Sequence, residues 1–171
     1  MRTIKMKLSH AFVDAILPDA YAKKASETLH GMAIKSFPFQ ISDLPEGTKS
    51  LAWTFIDYDA VPVCGFPYIH WLVANVPVQM TTIPENFSIE DSHHLEGKNS
   101  LVSKFLPEQV KSIDQQYIGP KPPDKDHRYH LTVYALDDML SLENGFFLNH
   151  LYDEVAKHQL AKAELILVGE Y

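Results

Sequence analysis

Residues 50–60 read Ser50-Leu51-Ala52-Trp53-Thr54-Phe55-Ile56-Asp57-Tyr58-Asp59-Ala60. Ser50 to Ile56 is rich in β-branched and aromatic residues, which suit a pleated, half-buried surface. The turn residues of Leu44-Pro45-Glu46-Gly47-Thr48 precede it. The run therefore reads as a core strand. It closes on Asp57 and Asp59, which share the face of Trp53 and Phe55 if the chain stays extended. Two carboxylates leaving a sheet can clamp a metal, act as acid and base, or orient a ligand. An Asp at a strand end serves a turn equally well, by accepting from its own backbone.

Three more strands follow outward from this one. Ile69 to Val76 is apolar and stops at Pro77. Arg128 to Leu136 alternates, with Tyr129, Leu131, Val133 and Ala135 on one face and Arg128, His130, Thr132 and Tyr134 on the other. Glu164 to Val168 lies near the C-terminus. Eleven prolines leave little room for long helices before residue 140. After it, Leu148, Leu151, Tyr152 and Val155 form an apolar helical stripe, and Asp153, Glu154, Lys157 and His158 take the other face. Glu108–Gln116 and Ala20–Glu27 are weaker helix candidates. The pattern predicts a mainly β, antiparallel domain with peripheral α-helices, one domain over residues 1–171.

Acids outnumber bases 22 to 15, for a formal charge of -7. That argues against nucleic acid as a partner and against docking on an anionic membrane. A small anion can still bind a local positive site. Cys64 is the one cysteine, so no internal disulfide forms and a reducing, cytoplasmic setting is expected. Met1 to His10 carries basic residues without a long apolar run after it, so neither a signal peptide nor a membrane-spanning segment is expected.

Three histidine-containing features could carry chemistry. His70-Trp71 opens a strand. His127 and Tyr129 are two apart, so imidazole and phenol point the same way from an extended chain and can grip a small anion. The stiff Gly119-Pro120-Lys121-Pro122-Pro123 leads into that pair. His93-His94 reads as solvated. Asp57, Asp59, His70 and His127 form an acceptable metal-ligand set, but their spacing matches no metal motif, so no metal and no cofactor is expected. Cys64 could pair with a histidine as a nucleophile, yet a single Cys is more often inert.

Together these segments resemble the phosphatidylethanolamine-binding protein (PEBP) family, in its bacterial and archaeal, Raf-kinase-inhibitor-like branch. That family's Asp-Pro-Asp-Ala-Pro segment looks like Asp57-Tyr58-Asp59-Ala60-Val61-Pro62, with Tyr58 for the first proline and Val61 inserted. Its His-Trp strand opening is similar to His70-Trp71. Its Gly-Pro, Pro-Pro, His-Arg-Tyr series is similar to Gly119-Pro120, Pro122-Pro123 and His127-Arg128-Tyr129. Leu44 to Ser50, Gly169-Glu170-Tyr171, and Ala11-Phe12 with Leu17-Pro18 are softer matches in the same order. Leu95 to Ile118 departs from the family's Gly- and Asn-rich loop.

The resemblance implies a large central antiparallel sheet, a smaller flanking sheet and a C-terminal helix. It also implies a pocket for phosphate-like anions or phosphoryl headgroups, walled by Asp57, Asp59, Pro62, His70, His127 and Tyr129. Carboxylates repel an anion at close range. The conflict disappears if the aspartates face the histidines: His127 then contacts the anion, Asp57 orients it, and His70 takes either role. A non-catalytic binding protein is implied, acting as a regulator or inhibitor of a protein partner such as a kinase or protease. A homodimer fits by resemblance to bacterial relatives. The alternative is a hydrolase using the Asp/His cluster, with or without a metal.

Overall fold

Trp53 and Phe55 leave the central strand on the same face, and both are fully buried. The computed structural model describes residues 5–171; the start of the basic Met1–His10 stretch, residues 1–4, lies outside the described residues. In chain order the strands are β1 (Lys7–Ser9), β2 (Thr28–Leu29), β3 (Met32–Ala33), β4 (Phe39–Ser42), β5 (Ser50–Asp57), β6 (Tyr68–Pro77), β7 (Thr82–Ile83), β8 (Leu95–Glu96), β9 (His127–Leu136) and β10 (Gln159–Gly169). The helices are α1 (Val61–Cys64), α2 (Phe87–Glu90) and α3 (Leu148–His158), with short 3-10 turns among the loops.

A five-stranded antiparallel sheet runs in the order β10-β9-β5-β6-β8, and β1-β4-β7 makes a smaller three-stranded sheet. One face of the large sheet packs Trp53, Phe55, Trp71, Val73, Tyr129 and Leu131 against Phe39, Ile41 and Ile83 of the small one. The other face packs Ala52, Leu72, Ala74 and Leu136 against Leu151 and Val155 of α3. The alternation of inward and outward residues is the ordinary two-residue period of a strand. The mainly β architecture with a C-terminal helix is thus the one expected. No helix among the described residues is long and apolar enough to cross a membrane.

Two irregularities in β6 break that period. Leu51 pairs with Val76 but Trp53 pairs with Val73, so β6 carries an extra residue there. Asn75 absorbs the bulge with φ 57, a left-handed conformation that Asn tolerates, and its side chain is fixed by the Leu140 N–H and carbonyl. The second lies at His70. Phe55 pairs with Trp71 and Ile56 with Ile69, leaving His70 unpaired in the ladder with β5. The bulge turns His70 toward the Trp71 face, where its ring meets Phe55 and Tyr129.

Several expectations need correction. Ala20–Glu27 is mostly turn, with a 3-10 turn only over Asp19–Tyr21. β10 begins at Gln159, five residues before Glu164, because β9 offers a pairing edge along its whole length. Glu154 is buried, not on the outer face of α3; it accepts the Ser141 N–H and pairs with Lys157. His94 is buried too, stacked on Phe87 and set between the carboxylates of Asp91 and Glu96. Burial is the largest single effect and opposes its charge, but the two carboxylates together outweigh it and raise its pKa. Glu96 in turn accepts the Trp71 indole N–H at 3.0 Å.

Phe37 is the aromatic hub of the main core, though it belongs to no strand. Its ring lies 4.9 Å from Phe55, 5.9 Å from Trp71 and 5.8 Å from Tyr117. Phe37→Ala is expected to lower stability by about 3–5 kcal/mol, from lost transfer energy and the cavity left behind. Urea denaturation of both proteins at one pH checks it; a loss below about 1 kcal/mol would mean the hub is not packed as described.

Candidate ligand-binding site

The three central strands β5, β6 and β9 finish together at one end of the large sheet. Asp57 is the last residue of β5 and pairs with both Tyr68 and Tyr129. Strand parity puts it on the face of Trp53 and Phe55. The same parity on β9 puts His127 with Tyr129, and the bulge brings His70 alongside. There Asp57, His70, His127 and Tyr129 line a cavity of about 240 Å³, with Met32, Ala60, Val63, Cys64, Tyr68 and Lys121-Pro122-Pro123 completing the wall.

Two of the six expected residues sit elsewhere. The chain turns after Asp57, whose Oδ1 accepts the Ala60 N–H at 3.1 Å. That turn swings Asp59 out of the strand. Asp59 grips Arg128 instead, accepting its backbone N–H at 2.9 Å and its guanidinium at 3.0 and 3.2 Å. Those Arg128 hydrogen bonds hold the Asp59 carboxyl down at about 2. Pro62 is the second residue of α1 and is exposed outside the cavity lining.

The two histidines are chemically unlike. His127 is almost fully buried. Its Nδ1 donates to Asp57 Oδ2 at 2.7 Å and its Nε2 to Asp124 Oδ1 at 2.6 Å. Carboxylates only accept, so both ring nitrogens carry protons and the ring is a cation. Burial opposes that charge, but the Asp57 and Asp124 bonds prevail and raise the pKa. His70 is the opposite case. Its Nδ1 donates to the Ile118 carbonyl at 2.8 Å. Burial pushes its pKa down to about 4, so the ring is neutral. His70 lines the cavity, and the other nitrogen of its neutral ring carries a lone pair. The Tyr129 phenol is kept protonated, first by burial and then by the Asp57 carboxylate beside it.

The 95–118 stretch contributes no residue to the lining itself and packs behind Met32 and Tyr68 of it. Asn99 is fully buried; its amide donates to the Ile113 and Gln116 carbonyls, both at 2.8 Å. Ser100 Oγ accepts the Ile69 N–H at 2.7 Å, next to the bulge. Leu101, Ile113 and Ile118 pack with Tyr68 and Met32. Gly169 lies behind the opposite side, where a Cβ would come within 2.5 Å of the Tyr129 ring. Cys64 is exposed and its thiol donates to the Phe66 carbonyl.

Asp124 and Tyr68 were missed in the sequence. Tyr68 had a signal, since it precedes His70 in the same strand opening. An acid three residues before His127 is the only hint of Asp124. Among the described residues, no three His, Cys, Asp or Glu side chains are grouped as a metal site requires.

The sequence profile of the phosphatidylethanolamine-binding protein family matches residues 9–170. The protein YxkA of Bacillus subtilis is 46% identical over 156 residues, covering 90% of this chain and 93% of that one. A UPF0098 protein of Chlamydia pneumoniae is 32% identical over 163 residues, covering 93% and 94%. Among solved structures, a PEBP homologue from Chlamydia trachomatis superposes with a TM-score of 0.79 at 29% identity, covering 99% of both chains. Escherichia coli YbcL superposes with a TM-score of 0.74 at 23% identity over 98% of both chains, a likeness that bears on the fold alone.

Between about 4 and 6.5 the unfolded chain takes up a proton at His70 that the folded chain refuses. Stability from this residue is complete above 6.5 and is lost as pH falls toward 4, on the order of 3 kcal/mol across the window. Urea denaturation of the wild type minus that of His70→Gln isolates the contribution. A difference that stays flat over this range would contradict the neutral, buried ring.

Proposed function

This chain belongs to the phosphatidylethanolamine-binding protein family, and we propose that it is a non-catalytic binding protein whose cavity seats a phosphate-like anion or phosphoryl headgroup. One observation carries the reading: a cationic imidazole and a neutral, accepting imidazole face a single small cavity. A phosphoryl group bearing one proton fits that pair. Its oxygens accept from the His127 Nε2–H, and its P–OH donates to His70 Nε2. Lys121 at the mouth adds positive charge. At about 240 Å³ the cavity is below the usual range for drug-sized ligands and suits a headgroup.

The chemistry favours binding over hydrolysis. Below its raised pKa His127 holds a proton on both nitrogens and cannot take one from water, and His70, with its pKa pushed down to about 4 by burial, is a weak base. Cys64 donates to a backbone carbonyl and not to an imidazole. Regulation of a protein partner remains part of the proposal. It is supported by exposed Val61, Val63 and Phe66 on and after the α1 turn that lines the cavity. The single free cysteine supports the cytoplasm as the proposed compartment.

His127 is charged below its raised pKa and neutral above it. Anion binding therefore strengthens as pH falls through that value. Isothermal titration with inorganic phosphate and phosphoethanolamine at about pH 6 and about pH 8 is expected to show tighter binding at the lower pH. His127→Ala, checked for folding by circular dichroism, is expected to lose roughly tenfold or more in affinity. Absence of binding at millimolar ligand, or unchanged affinity in the variant, would overturn the reading.

A further inference from the structure

We propose that Asp124 is an internal competitor for the anion seat: its carboxylate occupies the outward N–H of His127, and a bound anion gains that N–H only by turning Asp124 away. The proposal rests on the anion-binding reading above and adds how that site is restrained. His127 has two donors, and the Nδ1–H is committed to the buried Asp57 carboxylate at 2.7 Å. The Nε2–H is the one that remains, and Asp124 accepts it at 2.6 Å. A phosphoryl oxygen needs that same position, because a carboxylate oxygen and a phosphate oxygen satisfy one N–H in the same way.

The surroundings make Asp124 the movable member. Its side chain is 46% exposed, whereas that of Asp57 is 5% exposed. The backbone on either side is held. Lys121 Nζ donates to the Gly31 carbonyl at 3.1 Å, and Lys23 Nζ to the Pro122 carbonyl at 3.3 Å. Asp126 Oδ1 accepts the Tyr171 N–H at 2.8 Å. Pro120, Pro122 and Pro123 stiffen the approach. Release of His127 thus requires only rotation of the Asp124 side chain into water, with no rearrangement of the loop.

Charge points the same way. His127 is faced by Asp57 from β5, by His70 from β6 and by Asp124 from the loop, with Tyr129 beside it on β9 and Lys121 across the cavity. Two carboxylates balance the imidazolium and the ammonium, while His70 and Tyr129 are neutral. An arriving anion meets no surplus positive charge until Asp124 swings out. Asp124 consequently lowers the affinity for every anion and sets a threshold that weak ones do not pass.

The test is isothermal titration of inorganic phosphate into wild type, Asp124→Asn and Asp124→Ala at about pH 6, where an ordinary imidazole is still largely charged. The ring resonances of His127 are titrated by NMR in the ligand-free proteins. Both variants are expected to bind phosphate roughly tenfold more tightly, and the His127 pKa is expected to fall because one carboxylate partner is gone. Phosphate binding that is unchanged or weaker in the variants, while the wild type binds, would overturn the competitor and leave the anion site standing. An unchanged His127 titration would overturn it as well. Failure of all three proteins to bind phosphate would remove both the site and its competitor.

Discussion

A buried carboxylate at the end of the central strand governs the arrangement of the site. Asp57 sits where β5 stops, almost wholly out of water. A charge in that position is costly unless it is paired and hydrogen-bonded. His127 supplies the partner from the first residue of β9, and the Ala60 N–H supplies a second bond from the turn. This ties the ends of two neighbouring strands in register. It also keeps a proton on the His127 Nδ1, which leaves Nε2 as the one donor facing outward. The chemistry of the cavity, and the contact with Asp124, follow from that single pairing.

Much of this was legible in the chain. The apolar runs around Trp53, Trp71 and Leu131 read as strands and are strands. Their parity foretold that His127 and Tyr129 would share a face, and the order of the motifs pointed to the family. Asp57, His70, His127 and Tyr129 do line one cavity. The remainder depended on events that pattern does not encode. Asp59 has the right parity only if the strand continues, and a turn stabilised by Asp57 itself ends it. The turn throws Asp59 toward Arg128 and leaves Pro62 on the surface. His70 faces the cavity because of a bulge, which shows in hydrogen-bond register and not in residue type. His94 and Glu154 looked solvated because the groups that cover them are brought in by the fold: Phe87 stacks on one and the Ser141 N–H donates to the other. Phe37 carried no periodic signal, being a loop residue recruited into the core by aromatic neighbours from several elements.

The site shows how one residue type takes two roles through its surroundings. His70 loses its charge because burial outweighs the carbonyl it binds. His127, also buried, keeps its charge because two carboxylates outweigh burial. The pair thereby offers a donor and an acceptor within one small space, which a symmetric pair of imidazoles could not do. The unusual 95–118 stretch has a supporting part in this. Ser100 accepts the Ile69 N–H beside the His70 bulge, and the Ile118 carbonyl accepts from His70 Nδ1, so the stretch reaches the polar centre as well as the backbone behind it.

A crystal structure of the protein grown in phosphate tests the assignment of the seat most directly. The expected result is density for a phosphate with one oxygen about 3 Å from His127 Nε2, a second near His70 Nε2, and the Asp124 side chain turned to solvent. An empty cavity with Asp124 still bound to His127 at saturating phosphate would contradict it, as would a phosphate held elsewhere on the surface.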